Sequence, residues 1–589
     1  MAGFAGQDAL GGLESRDSAT AARGSADMTT NTARRVLLGG YAAKQCPVRT
    51  QHDFGPHPQT WVPDAEDQAR LDAGIAYEAE MFTALTRVHP GAVVIGSRLR
   101  RDDAIAATLA AMDAAAPLIL GGWLPDDNDG ARTGKPDLLI RVAGGYLPGD
   151  VKHHRTLEAK KTKTAQVSGF GTPGLRRPAA GWTSATTHRL HDGIQLAHYT
   201  RMLQACGRHP GSDHLWAAII GTSTLPGEAG EERVLVWHDL TEPLGHTYSR
   251  SRGKASRTLL QRYDHEHQFR VDVAAAAVTG GTLLVEPVGQ PECRTCPYAQ
   301  VCAEQMGDDD ASRALTVGSL DTREWLTLRR LGITTIAALA DVDPDDDPFF
   351  DSYYAETSHR GRDHARSRLR GAVQRAAMIT AGTALTLIAG ETVAVPGADV
   401  EVDLDIEWDT EGRVYLWGAR VRRCRDETTA QFHAFADWSV DDAAQEQALA
   451  QRFVRWLRGL HRQALAGGHT VRVFHWSAAE PSRLRRILGG DVADLLDPDD
   501  GVFTDLERVF KEQFLTVHGT SIKVVAPLFG FGWQAADAGG VQSQTHRDDA
   551  RDGHPRAASA RQWLLSYNAD DTAAMAAIRD GMRDWNAEQ

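Results

Sequence analysis

Hydrophobic and polar positions change period several times along the chain, and each change marks an element. Between Leu71 and Leu85 the apolar residues recur at helical spacing, which places Gly74 and Glu78 on one face at i and i+4. The run PDLLIRVAGGYLPGDVK shifts toward strand patterning and predicts a β-hairpin. Asp137 opens one strand, the chain turns at Ala143 to Gly145, and Asp150 and Lys152 lie on the next strand. A helix is predicted from Ile194 to Cys206, bounded by Gly207, and further strands from Trp216 to Thr222 and from Arg233 to Trp237. Val36 to Gly307 therefore reads as mixed α/β. From Leu315 to Ala381 the pattern is helical, with an acidic stretch, DVDPDDDPFFD, expected to be a solvated loop. A second α/β pattern starts near Thr392. There EVDLDIEWDTEGRVYLWGARV predicts a strand, a turn at Asp409 to Gly412 and a second strand. Val471 to Trp476 predicts another strand, His546 to Ala558 a flexible polar loop, and Ser559 the N-cap of a closing helix.

Length turns these patterns into domains. A chain of 589 residues exceeds one core. The expected division is a tail over 1–34, an α/β domain over 35–310, a helical connector over 311–390 and a second α/β domain over 391–589. The first 34 residues are small and polar with no apolar segment, so they read as a disordered tail and not as a signal peptide. A hydrophobic fraction of 42% with 24% charge is that of an ordinary globular chain. No apolar run approaches the ~18–20 residues that cross a bilayer, and the expected location is cytoplasmic.

Charge alters the picture locally. The net charge of −14 argues against a general nucleic-acid coat protein. A channel can still be basic on an acidic body. Of nine lysines, five fall between Lys135 and Lys163. Val151 to Arg177 holds seven Lys or Arg against one acid, Glu158. That stretch is either a solvated loop or a contact for phosphates, and its place beside the acidic motif favours phosphates.

Six cysteines in a chain this long make no disulfide framework. Cys293, Cys296 and Cys302 form C-x2-C-x5-C, and Cys46 lies 293 − 46 = 247 positions upstream. Thiolates so spaced could hold zinc or an iron–sulfur cluster. Cys206 and Cys424 stand alone and read as ordinary thiols.

Phosphodiester hydrolysis commonly uses a divalent metal held by carboxylates. Asp150 and Lys152 alternate on one strand and share a face, Asp137 can converge from the partner strand, and Glu78 can reach in from a helix. The ordered set G-x-x-x-E (Gly74–Glu78), P-D (Pro136-Asp137), D-V-K (Asp150–Lys152) and Q-x-x-x-Y (Gln195–Tyr199) resembles the RecB-like branch of the PD-(D/E)XK nucleases. The resemblance implies a restriction-endonuclease-like fold over about Val36 to Gly307. It implies Mg²⁺ or Mn²⁺ on Glu78, Asp137 and Asp150, help to the nucleophile from Lys152, and strand contact or bracing by Gln195 and Tyr199. One distant cysteine followed by C-x2-C-x5-C resembles the iron–sulfur members of the same branch. This implies a structural 4Fe–4S cluster on Cys46, Cys293, Cys296 and Cys302.

The second α/β segment carries its own acids. Asp405 and Glu407 share one strand face, and Tyr567 and Asp571 share one helix face at i and i+4. D-x-E followed by Y-x-x-x-D resembles a DEDD-type exonuclease of the RNase H-like fold. The resemblance implies four metal-binding carboxylates and a Tyr567 that orients the water. The middle acid departs from that pattern, and Glu480, in HWSAAEPSRL, is the candidate. Asp505 is a second candidate that also suits a structural role, and Asp403, Asp409 and Asp570 are near neighbours. LRRLGITTIAALADV, in the connector, resembles half of a helix–hairpin–helix element that meets phosphates, or an ordinary helical connector. Nuclease, connector and RNase H-like domain together resemble bacterial RecB-like nucleases of this layout.

The expectation is a metal-dependent nuclease, exonuclease or endonuclease, acting on single strands or ends of DNA, with RNA as the other candidate substrate, in repair or defence. With no G-x-x-x-x-G-K-[ST] signature, unwinding would fall to a helicase partner. The alternative is a nucleic-acid-binding or redox-sensing iron–sulfur module.

Overall fold

The computed structural model describes residues 35–227, 230–248, 254–315, 320–409, 412–534 and 540–585. The tail expected over 1–34 lies outside them. The chain divides into two compact units. One runs to Thr316 and takes in Leu320–Thr334 and Pro344–Leu369; the other holds Thr335–Asp343 and Arg370–Gln589. The helical stretch expected over 311–390 is shared between the two.

The first unit is built on one mixed sheet. Its strands are β1 (Val93–Val94), β2 (Leu118–Leu120), β3 (Leu138–Val142), β4 (Gly145–Val151), β5 (Leu157–Gly169), β6 (Arg177–Ser184), β7 (Trp216–Gly227) and β8 (Gly230–Asp239). Their order is β1-β2-β3-β4-β7-β8-β5-β6. The predicted hairpin is β3–β4, antiparallel with Leu138 opposite Gly149. β4 then pairs in parallel with β7. Parallel pairing puts β4 in the sheet interior, and its last six residues are buried.

Helices flank the sheet: α1 (Pro47–Asp53), α2 (Ala65–Val88), α3 (Arg101–Asp113), α4 (Thr186–Ala205), α5 (Leu259–Thr279) and α6 (Ala299–Met306). α2 starts where the Asp64 side chain accepts from the Asp67 amide at 2.8 Å. Tyr77, Met81 and Leu85, four residues apart, form one stripe. That stripe packs on Leu120, Leu138, Ile140, Val151 and Ile220. Glu78, next to Tyr77, is thereby carried to the C-terminal end of β4. α4 is longer than predicted and is buried on all sides from Asp192 to Thr200, which fixes Gln195 and Tyr199.

The β5–β6 arm contains an irregularity. Ala159 pairs with Trp182, and the next pair is Thr164 with Ala180. Residues 160–163 are thus looped out opposite Gly181, whose φ of 82° lies in the left-handed region. Lys160, Lys161 and Lys163 sit exposed on this bulge.

Helices follow at α7 (Thr322–Arg330), α8 (Ile336–Ala340), α9 (Asp347–Thr357) and α10 (Arg362–Thr380). The acidic stretch is only partly a loop. From Asp347 it is helical, because Phe350 and Tyr353 supply a fully buried face.

The second unit holds a five-stranded sheet of β9 (Val400–Trp408), β10 (Val414–Arg423), β11 (Asp426–Ala436), β12 (Val471–His475) and β13 (Phe503–Asp505). The order is β11-β10-β9-β12-β13. β9 is central, antiparallel to β10 and parallel to β12. Around the sheet lie α11 (Ala443–Ala466), α12 (Ala479–Leu488), α13 (Leu506–Gln513), α14 (Ile522–Leu528), α15 (Gly540–Asp549) and α16 (Ala557–Arg583).

β9 alternates without a break. Val400, Val402, Leu404 and Ile406 enter the apolar core with Trp417, Leu449 and Phe453. Glu401, Asp403, Asp405 and Glu407 take the opposite face. α16 covers those acids.

Two expectations fail near α16. His546 to Ala558 is no loop throughout, since α15 runs to Asp549 and α16 begins at Ala557. Arg547 is buried there because its guanidinium donates to the carbonyls of Trp438 and Val440, both at 2.9 Å. Ser559 is no N-cap. It lies inside the first turn and donates to the Arg556 carbonyl at 2.9 Å.

Candidate metal centres

The first constellation converges at the end of β4. Asp150 is 2% exposed, and its Oδ2 lies 2.5 Å from the Lys152 ammonium. Asp137, just before β3, accepts from the Val151 amide at 2.8 Å. Burial, then the charges of Asp150 and Glu78, hold the Asp137 carboxyl well above the usual carboxylate range. Burial also raises Glu78, with Lys135 opposing, Asp150 adding and Lys152 opposing. Burial alone would lower the Lys152 ammonium, but Asp150, Tyr41 and Asp137 hold it well above its ordinary value.

Gln195 and Tyr199 join this site through residues that the sequence does not single out. Gln195 Nε2 donates to Tyr199 Oη, and Lys44 Nζ donates to Gln195 Oε1, both at 3.2 Å. The Lys44 ammonium lies 4.1 Å from the centre of the Tyr41 ring, and Lys152 donates to Tyr41 Oη at 3.1 Å. One polar chain therefore runs from Tyr199 to Asp150. Lys44 and Tyr41 carry no motif spacing that could reveal it.

Cys46, Cys296 and Cys302 pack in one apolar cluster with Val48, Tyr298 and Met306. Cys293 acts electrostatically on both Cys296 and Cys302. Burial pushes the Cys296 thiol up to about 11 and the Cys302 thiol to about 12. No cysteine forms a disulfide. Among the described residues no three of these sulfurs lie within 4.8 Å of one another. Cys206 ends α4, and Cys424 is exposed at a turn.

In the second unit the four acids of β9 divide into two pairs. Glu401 and Asp403 are neutralised by the protein itself. Arg579 Nη2 lies 3.1 Å from both carboxylates, Arg422 is 2.9 Å from Glu401, and Arg583 is 2.7 Å from Glu401. Asp403 and Arg579 are both wholly buried. Asp405 and Glu407 lie beyond this arginine clamp. With Asp571 they offer three oxygens within 4.8 Å of one another.

Their protonation records this crowding. Burial, then Asp571 and Glu407, hold Asp405 well above the usual range. Burial and Asp571 push Glu407 up to about 8. Burial raises Asp571 against the pull of Lys523. Three crowded carboxyls, Asp405 half-buried and Glu407 and Asp571 buried, whose proton affinity is raised, fit a site for a hard divalent cation.

The approach of α16 depends on one glycine. Asn568 Nδ2 donates to Asp405 Oδ2 at 2.7 Å. Opposite Asp405 stands Gly418, where a Cβ would meet Asn568 Oδ1 at 1.6 Å.

Tyr567 and Asp571 share one buried face of α16, as predicted. Glu480 does not join the trio. It lies in the first turn of α12, 3.7 Å from His475, although its charge still acts on Asp405. Asp505 is the N-cap of α13, accepting from the Arg508 amide at 3.0 Å. Asp570 accepts from the Gln534 amide at 3.0 Å, and Asp409 accepts from the Arg413 amide at 2.9 Å.

Lys523 is a further member of the site, with no counterpart among the sequence motifs. Its ammonium lies 2.6 Å from Asp571 Oδ1, which also accepts from the Trp533 indole at 2.6 Å. No periodic pattern links Lys523, on the short α14, to a motif on α16.

Residues 402–583 match a family model described as the RNase_H superfamily. The match covers less than half of the chain. It spans β9, with its D-x-E, and α16, with its Y-x-x-x-D, so the second unit contains an RNase H-like domain. No curated protein and no solved structure matches the chain. Among the described residues no helix is long and apolar enough to cross a membrane.

Proposed function

We propose that this chain is a metal-dependent nuclease with two hydrolytic sites, one in each unit. The observation that carries the reading is the divided strand β9. The protein neutralises Glu401 and Asp403 with its own arginines, and gathers Asp405, Glu407 and Asp571 within 4.8 Å with Lys523 paired to Asp571 alone of the three. A carboxylate trio so arranged, in an RNase H-like domain, suits hydrolysis of nucleic-acid phosphodiesters. Mg²⁺ or Mn²⁺ bound there would polarise the phosphate and lower the pKa of a water. Asn568 fixes the Asp405 carboxylate, and Tyr567, one turn before Asp571, faces the same pocket and would orient the attacking water. Glu480 can add only an outer charge from its observed position.

The first unit is read as a RecB-like nuclease domain of restriction-endonuclease-like fold, with Glu78, Asp137 and Asp150 as the metal-holding acids. Lys152, held between Asp150 and Tyr41, is placed to orient the nucleophile. Gln195 and Tyr199 brace that lysine through Lys44 and Tyr41. The Lys160–Lys163 bulge supports a nucleic-acid substrate, DNA before RNA. A helicase or another repair component as partner, and a cytoplasmic setting, belong to the same reading.

The cysteine neighbourhood supports a structural 4Fe–4S cluster on Cys46, Cys293, Cys296 and Cys302. Such a cluster takes four thiolates and holds them farther apart than a single ion would. The thiols, pushed up by burial, would be deprotonated by the metal they bind.

End-labelled single-stranded DNA incubated with Mn²⁺ tests the whole reading. Wild type should degrade it. Asp150→Asn and Asp405→Asn should each remove a separate share, and the double variant should leave none. Equal rates for wild type and the double variant would refute it.

A further inference from the structure

Two-metal nuclease sites place a cation on each of the attacking and leaving oxygens, whereas this site gathers three acids and a lysine. We propose that Lys523 takes the place of a second metal, so that the site binds one divalent cation and uses the ammonium as its other positive charge. The inference rests on reading Asp405, Glu407 and Asp571 as a metal site.

Four observations carry it. First, the fourth acid is elsewhere. Glu480 offers no oxygen within the 4.8 Å trio and lies beside His475. Second, the charges balance. Three carboxylates carry three negative charges, and one divalent cation with one ammonium carries three positive. A second divalent cation would leave two positive charges in excess in a buried site, where unbalanced charge is costly. Third, Lys523 is held in place. Its ammonium is 4.0 Å from the centre of the Trp533 ring and 4.5 Å from that of Tyr567. Contact with two ring faces adds cation–π attraction to the ion pair with Asp571 and restricts the flexible stem. Fourth, Asp571 Oδ1 already accepts from Lys523 and Trp533, so the ammonium engages one of the three acids directly.

The Lys523 side chain is 32% exposed while Asp571 is 9% exposed. Lys523 is thus the more exposed partner of this ion pair. A phosphate entering from solvent would have the Lys523 ammonium as a fixed positive partner, and a cation held by Asp405, Glu407 and Asp571 would supply the other positive charge. Lys523 would then stabilise the charge that grows on the phosphoryl oxygens, as fixed cations do in phosphoryl-transfer sites.

The test counts Mn²⁺ by electron paramagnetic resonance on the full chain. The count for each protein is compared with that of the same protein carrying Asp405→Asn, which isolates this site from the first unit. With Lys523 present the difference should be one ion. With Lys523→Gln it should rise to two, and the Asp405-dependent rate on single-stranded DNA should fall about 10²–10³-fold. Lys523→Arg should restore a difference of one ion. A lysine with only a structural role would not change the count. A difference of two ions with Lys523 present overturns the proposal, as does an unchanged count in Lys523→Gln. A difference of zero would refute the metal site itself, and the proposal with it.

Discussion

Asp403 and Asp405 are two residues apart on one strand face, so exchanging each carboxylate for an amide asks the same question of both. Asp403→Asn removes the wholly buried partner of Arg579 and leaves that guanidinium short of charge. Breaking a buried pair from one side costs about 3–5 kcal/mol. For a unit of this size, at about 2–4 °C per kcal/mol, its melting temperature should fall by about 6–20 °C. Added Mn²⁺ should still raise what stability is left, because the trio is intact. Asp405→Asn should do the reverse. It removes a carboxyl whose charged form burial and the neighbouring Asp571 and Glu407 disfavour, so the metal-free unit should melt no lower than wild type. Its response to Mn²⁺ should vanish. A metal present at 100 times its dissociation constant stabilises by about 2.7 kcal/mol, or about 5–11 °C on the same scale. Hydrogen exchange followed by mass spectrometry assigns the effect, because peptides from β9 and α16 report on the second unit alone. If Asp403→Asn leaves those peptides as protected as in wild type, or Asp405→Asn still gains protection from Mn²⁺, the division of β9 into a clamped end and a metal end is wrong.

Three further outcomes are expected. Because Glu407 is raised to about 8 from 4.5, the metal-free unit is most stable below pH 4.5 as far as this group is concerned. That contribution is lost as pH rises through 8, while Mn²⁺ competes better, so the Mn²⁺-induced thermal shift should grow across this window; a shift that shrinks with pH would contradict the assignment. Replacing Lys160, Lys161 and Lys163 together with Ala should lower the slope of log affinity for single-stranded DNA against log salt by about 2, near 0.7 for each phosphate left without its lysine, as fluorescence anisotropy would read. Cys296→Ala should cost iron, brown colour and the stability of the first unit, while exchange protection in α16 stays as in wild type.

The strongest periodic signals are legible because their period is short. VEVDLDIEW alternates without a break, so strand, face and the pair Asp405 and Glu407 can be read together. The hairpin carrying Asp150 is equally clear, since apolar runs flank a glycine turn. Other features reach the sites across long separations and leave no local pattern. Lys523 is 48 residues from Asp571, and Lys44 is 151 from Gln195. His546 to Ala558 misleads because its composition is polar, while Arg547 is buried by donating to two carbonyls of another segment. Ser559 fits a capping preference, but the backbone turns helical two residues earlier. The spacing of Glu480 after a strand suits a ligand, yet the first turn of α12 directs it to His475.

The same alternation that makes β9 easy to recognise makes it nearly blind to its own position. Sliding the strand by one residue would turn its acids into the core and is forbidden. Sliding it by two would return valine, leucine or isoleucine to every apolar site but the end one, which would take Ala398 or Trp408, and an acid to each opposite one. The arginines tell these alignments apart. Arg579, Arg583 and Arg422 are fixed on α16 and β10, and only one placement brings Glu401 and Asp403 to them. The clamp is therefore a ruler as well as a fastening. It measures out where Asp405 and Glu407 must stop, and so where a cation can be held.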